Sequence, residues 1–181
     1  MVDVEPMQQA KRPVNAIAGP YGHPLHPALV TIPIGAWITS LVFDIASHVV
    51  HSETFLADGS RWLIAVGVLG ALAAATVGVL DLFAIPTRTR AFRTALVHMS
   101  INLAVTAAYA IGFVIRGGQP ATPVPIGALA LSAAALAALT VSGYLGGELT
   151  YRYGVRVADE ITQADGYRTT PVATTIEKEG H

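Results

Sequence analysis

Two histidines, each followed by a proline, stand at the start of the first long apolar stretch of the chain. His23-Pro24 and His26-Pro27 belong to the segment YGHPLHPALVTIPIGAW, residues 21–37. Imidazole nitrogens bind transition metals and haem iron, and they exchange protons near neutral pH. Because a proline disfavours the α region for the residue before it, both histidines are predicted to be extended. In polyproline II geometry their rings would share one edge roughly 9 Å apart, as a stiff clip for a ligand.

A simpler interpretation of the same motif is a helix start at a membrane surface. Proline is favoured at the first helical position, and histidine is tolerated where a helix meets the polar interface. The motif alone leaves both interpretations open.

Other polar residues lie inside apolar stretches further along the chain. His98 and Asn102 are four residues apart, as are Tyr144 and Glu148, and this spacing places each pair on one face of a helix. Asp81 lies near the end of another apolar stretch. Ionisable groups inside a membrane are energetically costly and usually face a partner, a cavity or a pathway. These residues are therefore candidates for a functional site.

Four apolar stretches must position these residues. The chain has 181 residues, of which 52% are hydrophobic and 13% charged, whereas a soluble domain carries about a quarter charged residues. About 20 apolar residues in a helix cross the roughly 30 Å of bilayer hydrocarbon. With short loops between the stretches, the sequence predicts an all-α integral membrane protein, an up-down four-helix bundle in contact with lipid. The predicted spans are residues 27–50, 62–85, 94–115 and 124–147.

The segments outside these spans are polar. Residues 1–20 lack an apolar core and carry no cleavable signal peptide, so the first span is expected to act as an uncleaved signal anchor. The transmembrane domain is predicted over residues 21–153, and residues 154–181 are predicted to be a mobile cytoplasmic tail. The chain has no cysteine, which excludes disulfides, thiolate metal sites and covalently attached haem.

Basic residues are distributed unevenly between the two sides of the predicted bundle. Loops with an excess of Lys and Arg stay in the cytoplasm. Both termini and the middle loop are therefore predicted to be cytoplasmic, in an inner or plasma membrane. The opposite loops offer only Arg61 and Arg116. The basic residues on the predicted cytoplasmic side are Lys11, Arg12, Arg88, Arg90, Arg93, Arg152 and Arg156.

This topology brings polar residues from separate spans to one layer near the cytoplasmic side. Asp44 and His48, in contrast, lie toward the outer side and are predicted to pair with each other, while His51 and His181 are expected to be solvated. The layer comprises His23, His26, Asp81, His98, Asn102, Tyr144, Glu148, Tyr151 and Arg152.

Several segments of the chain resemble one bacterial membrane family. They are HPLHPALVTIPIG, DLFAIP, HMSIN and GYLGGELTYRYGV, in this order. From about Tyr21 to Val157 the chain resembles the family named domain of unknown function 2231, although Ile32 stands where a phenylalanine is usual. The resemblance implies a four-helix membrane protein. Relatives occur joined to Rieske-type iron–sulfur or cytochrome c-type modules, which implies electron transfer with a separate redox protein as partner.

The leading functional hypothesis is a membrane redox component with b-type haem in the cytoplasmic half of the bundle. His98 would be one axial ligand and either His23 or His26 the other. Asn102, one turn from His98, is assigned a supporting role in ligand binding. Three arginines are candidates to neutralise the haem propionates, namely Arg88, Arg93 and Arg152.

Two alternatives remain beside the redox hypothesis. Imidazole and carboxylate ligands also suit zinc, iron or a similar ion without redox function. In the second alternative, the polar layer is a structural hydrogen-bond network, and the protein is an accessory or assembly subunit. The protein would act alone or as a homo-oligomer. Nucleic-acid binding is not indicated, and no phosphate loop or nucleophile elbow is present. The candidate metal ligands are His23, His26, His98, Asp81 and Glu148.

Overall fold

The computed structural model describes residues 5–19, 23–50, 54–117 and 122–168 of the chain. Every regular element in this described part is helical. Four stretches are long and apolar enough to cross a membrane, which confirms the predicted all-α, four-helix membrane architecture. His51, His181 and residues 169–181 of the predicted tail lie outside the described residues. The four spans are Leu25–Ala46, Phe55–Ala84, Arg90–Ile115 and Ile126–Arg152.

The individual helices differ from the predicted spans mainly at their ends. The second span begins at Phe55, ahead of the predicted residue 62, and the first ends at Ala46, before the predicted residue 50. A 3₁₀ turn covers Ala16–Ala18, and the fourth span ends in a π-helical turn, Glu148–Arg152. The α-helices are α1 (Glu5–Lys11), α2 (Leu25–Leu29), α3 (Thr31–Ala46), α4 (Phe55–Ala84), α5 (Arg90–Ile115), α6 (Ile126–Gly147) and α7 (Glu160–Asp165).

Proline and threonine set the connection between α4 and α5. Ile85 is extended, as expected for a residue that precedes a proline, and α4 ends there. The hydroxyl of Thr89 then accepts a hydrogen bond from the backbone N–H of Phe92 at 3.1 Å, which caps the first turn of α5. The connection is therefore short, and α4 and α5 are antiparallel neighbours.

The first span is broken into α2 and α3 by a proline. Pro33 has no N–H to donate to the carbonyl of Leu29, and its ring crowds that carbonyl, so the helix is interrupted at Val30. Pro24 caps α2 and is extended, whereas His26 is the second residue of α2. The prediction that both histidines share one extended edge is therefore wrong. His26 adopts the α conformation although Pro27 follows it, and Pro27 itself is tolerated because a backbone N–H in the first helical turn has no helical partner in any case.

The four spans form a closed ring, with α3 packed on α4, α4 on α5, α5 on α6 and α6 on α3. We call the end of the bundle that carries the α4–α5 connection the termini end, because the segments before α2 and after α6 also lie there. The opposite end, with the α3–α4 and α5–α6 connections, is the loop end.

An aromatic pair fills the middle of the bundle. Trp37 stacks on Tyr109 with ring centroids 4.2 Å apart, and the indole N–H points to the carbonyl of Ile64 at 3.4 Å. All three residues are almost completely buried. Gly67 lets α4 approach this pair, since an added Cβ would overlap the indole ring of Trp37. This core separates the polar groups of the termini end from those of the loop end.

The segments on either side of the spans pack against the termini end of the bundle. Ala10 of α1 and Val155 belong to one buried apolar cluster with Ile85 and Leu149. Val155, the second residue of the predicted tail, is only 7% exposed. An apolar side chain at this position gains free energy when it leaves water, which keeps the first part of the tail on the bundle.

Candidate functional site

His26 is mounted on α4 through one ring nitrogen. Its Nδ1 lies 2.9 Å from the carbonyl oxygen of Ala74. A Cβ added to Gly78, one turn further along α4, would lie 3.0 Å from the imidazole, so the absent side chain provides the space for the ring. The other nitrogen, Nε2, has no hydrogen-bond partner among the described residues.

His98 is mounted on α6 in the same way. Its Nδ1 lies 2.8 Å from the carbonyl oxygen of Ser142 and 3.0 Å from the hydroxyl of the same residue. Gly146 stands one turn further along α6, and a Cβ there would lie 3.1 Å from the ring. The Nε2 atom of His98 lies 3.1 Å from the amide nitrogen of Asn102. The predicted placement of His98 and Asn102 on one helical face is confirmed.

We call the backbone carbonyl and the glycine that hold each histidine ring its mount. The two mounts determine which nitrogen of each neutral imidazole carries the proton. A carbonyl oxygen only accepts hydrogen bonds, so Nδ1 of His26 and of His98 must carry the proton. The Nε2 atoms then carry lone pairs, and the amide of Asn102 donates to that of His98. Histidines that ligate metals usually have this arrangement, with one nitrogen tied to a carbonyl or carboxylate and the other free to coordinate.

The two imidazoles meet at the interface between separate helices. Their ring centroids are 6.3 Å apart and their planes are inclined by 78°. Asp81 lies on the face of α4 that also carries Ala74 and Gly78, within electrostatic range of His26. The carboxylate of Asp81 forms an ion pair with Arg156, with Nε and Oδ1 2.8 Å apart. The structure thus brings His26, His98, Asn102 and Asp81 of the predicted layer together.

The other predicted site residues lie at the rim of the termini end. His23, Arg88 and Arg93 are exposed. Glu148 forms an ion pair with Arg152 at 2.8 Å, and the side chain of Arg152 is 67% exposed. Tyr144 and Tyr151 are exposed as well.

The described part of the chain offers few metal-ligating side chains close to one another. Within residues 5–19, 23–50, 54–117 and 122–168, no group of three or more His, Asp or Glu side chains is close enough to hold a metal ion. The imidazole donors of the site belong to two rings whose centroids are 6.3 Å apart. A closed zinc site, which needs about four ligands, does not match this donor set.

A second polar network, at the loop end, has one residue from each span. Asp44 of α3 is fully buried and accepts hydrogen bonds from Ser60 of α4 and from Arg116 at the end of α5, the latter at 2.6 Å. The same nitrogen of Arg116 lies 3.3 Å from the hydroxyl of Ser132 of α6. Asp44 therefore pairs with Arg116 rather than with His48, which is exposed. Arg116 was expected in a loop, but only 7% of its side chain is exposed.

Sequence reasoning missed the backbone acceptors and glycines of the two histidine mounts. Ala74 and Gly78, like Ser142 and Gly146, are a small residue and a glycine four positions apart, a spacing that is common where membrane helices pack closely. In a helix the Cβ of residue i+4 partly covers the carbonyl of residue i, so a glycine there uncovers an acceptor. A glycine four residues after a small residue, on a helix that packs against a histidine, is the sequence pattern that would have indicated these two binding positions.

The match to known proteins agrees with this fold. The family model described as predicted membrane protein, DUF2231, matches residues 22–159, which include all four spans. No curated protein and no solved structure matches the chain. The family match covers well over half of the 181 residues. The chain therefore belongs to the DUF2231 family of predicted membrane proteins.

Proposed function

We propose that the protein is a membrane redox component that binds one metal centre through Nε2 of His26 and Nε2 of His98. The observation that carries this proposal is the pair of mounts: two rings from different helices, 6.3 Å apart, each with Nδ1 tied to a main-chain carbonyl. Fixing the tautomer and orientation of both rings lowers the entropy lost when a metal binds.

The number of donors favours haem over the other metal centres. Haem iron needs only two axial ligands from the protein, because the porphyrin supplies the other four, whereas structural zinc needs about four protein ligands. The bound haem would supply one-electron chemistry, and a separate redox protein would be its partner. Arg88 and Arg93 are exposed at the same end and remain candidates to face anionic groups of the haem.

A structural network without a cofactor is the second candidate, and Asn102 favours it. The amide of Asn102 already donates to Nε2 of His98, so every polar atom of that ring is satisfied without a metal. Coordination of a metal through Nε2 of His98 would require the loss of this hydrogen bond. In contrast to the supporting role inferred from sequence, Asn102 then competes with the metal for Nε2.

The optical spectrum and metal content of the purified protein test the proposal. We expect haem in the wild-type protein expressed with haem supply, and its loss in His26→Ala and His98→Ala. His48→Ala, at the loop end, is the matched control and should keep the haem. Asn102→Ala should bind haem about three- to ten-fold more tightly, because a hydrogen bond worth about 0.5–1.5 kcal/mol no longer competes.

The other outcomes separate the candidates. If the wild-type protein contains stoichiometric metal but no haem, and His26→Ala and His98→Ala both lose this metal, the histidine pair binds a non-redox metal ion rather than haem. A wild-type protein that takes up neither haem nor metal, together with a less stable Asn102→Ala, would leave the structural network as the function of the site.

We also propose that the termini end faces the cytoplasm. Arg88, Arg90 and Arg93 are exposed there, whereas the two arginines of the loop end are engaged within the bundle. Arg116 pairs with Asp44, and the guanidinium of Arg61 lies 4.6 Å from the ring centroid of Phe113. Exposed basic residues therefore concentrate at one end, which is the pattern of a cytoplasmic side.

Reporter fusions test this orientation. Fusions after residues 12, 88 and 168 should all report a cytoplasmic location, and a fusion in the α3–α4 connection should report the opposite side. An externally located reporter at residue 88 would reverse the orientation and place the histidine pair on the outer side.

A further inference from the structure

The segments before α2 and after α6 contact each other at the termini end. The backbone N–H of Arg156 donates to the carbonyl of Ala10 at 3.1 Å. Lys11 of α1 forms an ion pair with Glu160 of α7 at 2.6 Å. The Lys11 ammonium holds the pKa of Glu160 below its usual range. The two segments are thus fastened to each other as well as to the bundle.

Beside the apolar cluster, Arg156 provides a polar link between both segments and α4. Its side chain is only 6% exposed, and besides its ion pair with Asp81 it donates through Nη2 to the carbonyl of Ala18 at 3.1 Å. Its backbone is in the left-handed region, at a φ of 60°. A non-glycine residue holds this conformation only where surrounding contacts impose it. A Cβ on Gly19 would lie 2.8 Å from Nη2, so that glycine makes room for the guanidinium.

These contacts lie next to the mount of His26. Asp81 follows Gly78 by three residues on the same face of α4, and Gly78 contacts the imidazole. A guanidinium bound at Asp81 therefore lies between the aqueous side and His26. His98 is further from this entrance, because it lies in the third turn of α5 and is tied to α6.

The ion pair between Arg156 and Asp81 is short and largely shielded from solvent. Nε and Oδ1 are 2.8 Å apart, and the side chains of Arg156 and Asp81 are only 6% and 12% exposed. A buried charge that loses its partner is strongly destabilised. The contact of Arg156 with α4 therefore depends on both charges, and removing either one should release it.

We propose that Arg156 is an electrostatic latch that closes the termini end over His26. With the latch closed, the terminal segments cover the entrance to Asp81 and His26. With it open, both segments leave α4 and solutes from the aqueous side reach Nε2 of His26. The proposal does not depend on which metal centre, if any, the histidine pair binds.

Carbethoxylation of the purified protein by diethyl pyrocarbonate, mapped by mass spectrometry, tests the latch without any cofactor. The reagent modifies neutral imidazole nitrogens, and His48, exposed at the loop end, is the internal reference. In the wild type we expect His26 to react more slowly than His48. In Arg156→Gln the rate at His26 should rise about ten-fold relative to His48, because a local opening becomes more populated.

The control variant is Arg152→Gln, which removes a neighbouring arginine that pairs with Glu148 and not with Asp81. It should leave the rate at His26 unchanged. The rate at His98 distinguishes opening from unfolding, since it should stay low in both variants. An unchanged rate at His26 in Arg156→Gln, an equal rise in Arg152→Gln, or a joint rise at His26 and His98 would each overturn the proposal.

Discussion

Arg116→Met is expected to lower the free energy of unfolding by about 3–5 kcal/mol, because it leaves a buried carboxylate without its cation. Asp44 is fully buried, and after the substitution it would keep the hydroxyl of Ser60 as a donor but lose its ion-pair partner. Unfolding in mixed micelles of detergent and dodecyl sulfate measures the change.

Two variants control this result. Arg61→Met removes the other arginine of the loop end, which stacks on Phe113 and has no ion pair among the described residues, so a loss of about 0.5–1 kcal/mol is expected. The double variant Asp44→Asn, Arg116→Met removes both charges and should be more stable than Arg116→Met alone. If Arg116→Met were as mild as Arg61→Met, the buried ion pair would not stabilise the fold.

Gly67→Ala is expected to destabilise the bundle by about 1–3 kcal/mol through overpacking of the core. The new methyl group would overlap the indole of Trp37. The ring cannot easily move away, because it stacks on Tyr109 at 4.2 Å and is almost completely buried. The same mixed-micelle titration measures the loss.

Gly35→Ala is the matched control for Gly67→Ala. Gly35 is exposed on α3, and a Cβ there would meet nothing within 4 Å. Since alanine is favoured over glycine in a helix by up to about 1 kcal/mol, this variant should be unchanged or more stable. Shifts of the same sign and size in both variants would show that the approach of α4 to Trp37 does not determine stability.

The four spans were predictable because each is a run of apolar residues long enough to cross hydrocarbon, a property that sequence displays directly. The placement of His98 and Asn102 on one helical face followed from their helical spacing. The proximity of Asp81 to His26 followed from the alternating direction of the spans. Each of these inferences needed only helix geometry and topology.

The remaining contacts depend on features that side-chain type does not reveal. The acceptors at Ala74 and Ser142 are backbone carbonyls, which every residue has. Arg156 falls in a polar segment that composition alone assigns to a mobile tail, yet its side chain is buried. Arg116 follows the last apolar residue of its span and was assigned to a loop, but its long side chain returns into the bundle to reach Asp44.

Each histidine is held by a helix from its own half of the chain. In the first half, α2 to α4, His26 binds the carbonyl of Ala74. In the second half, α5 and α6, His98 binds the carbonyl of Ser142. Each half therefore contains the complete support for its own ring.

The polar network of the loop end is divided in the same way. Asp44 and Ser60 belong to the first half, Arg116 and Ser132 to the second, and the ion pair between Asp44 and Arg116 joins them. During synthesis on the ribosome the first half enters the bilayer before the second exists. Its carboxylate therefore has no cation until Arg116, which directly follows α5, has been inserted, and the two charges can join the halves while α6 is still to follow.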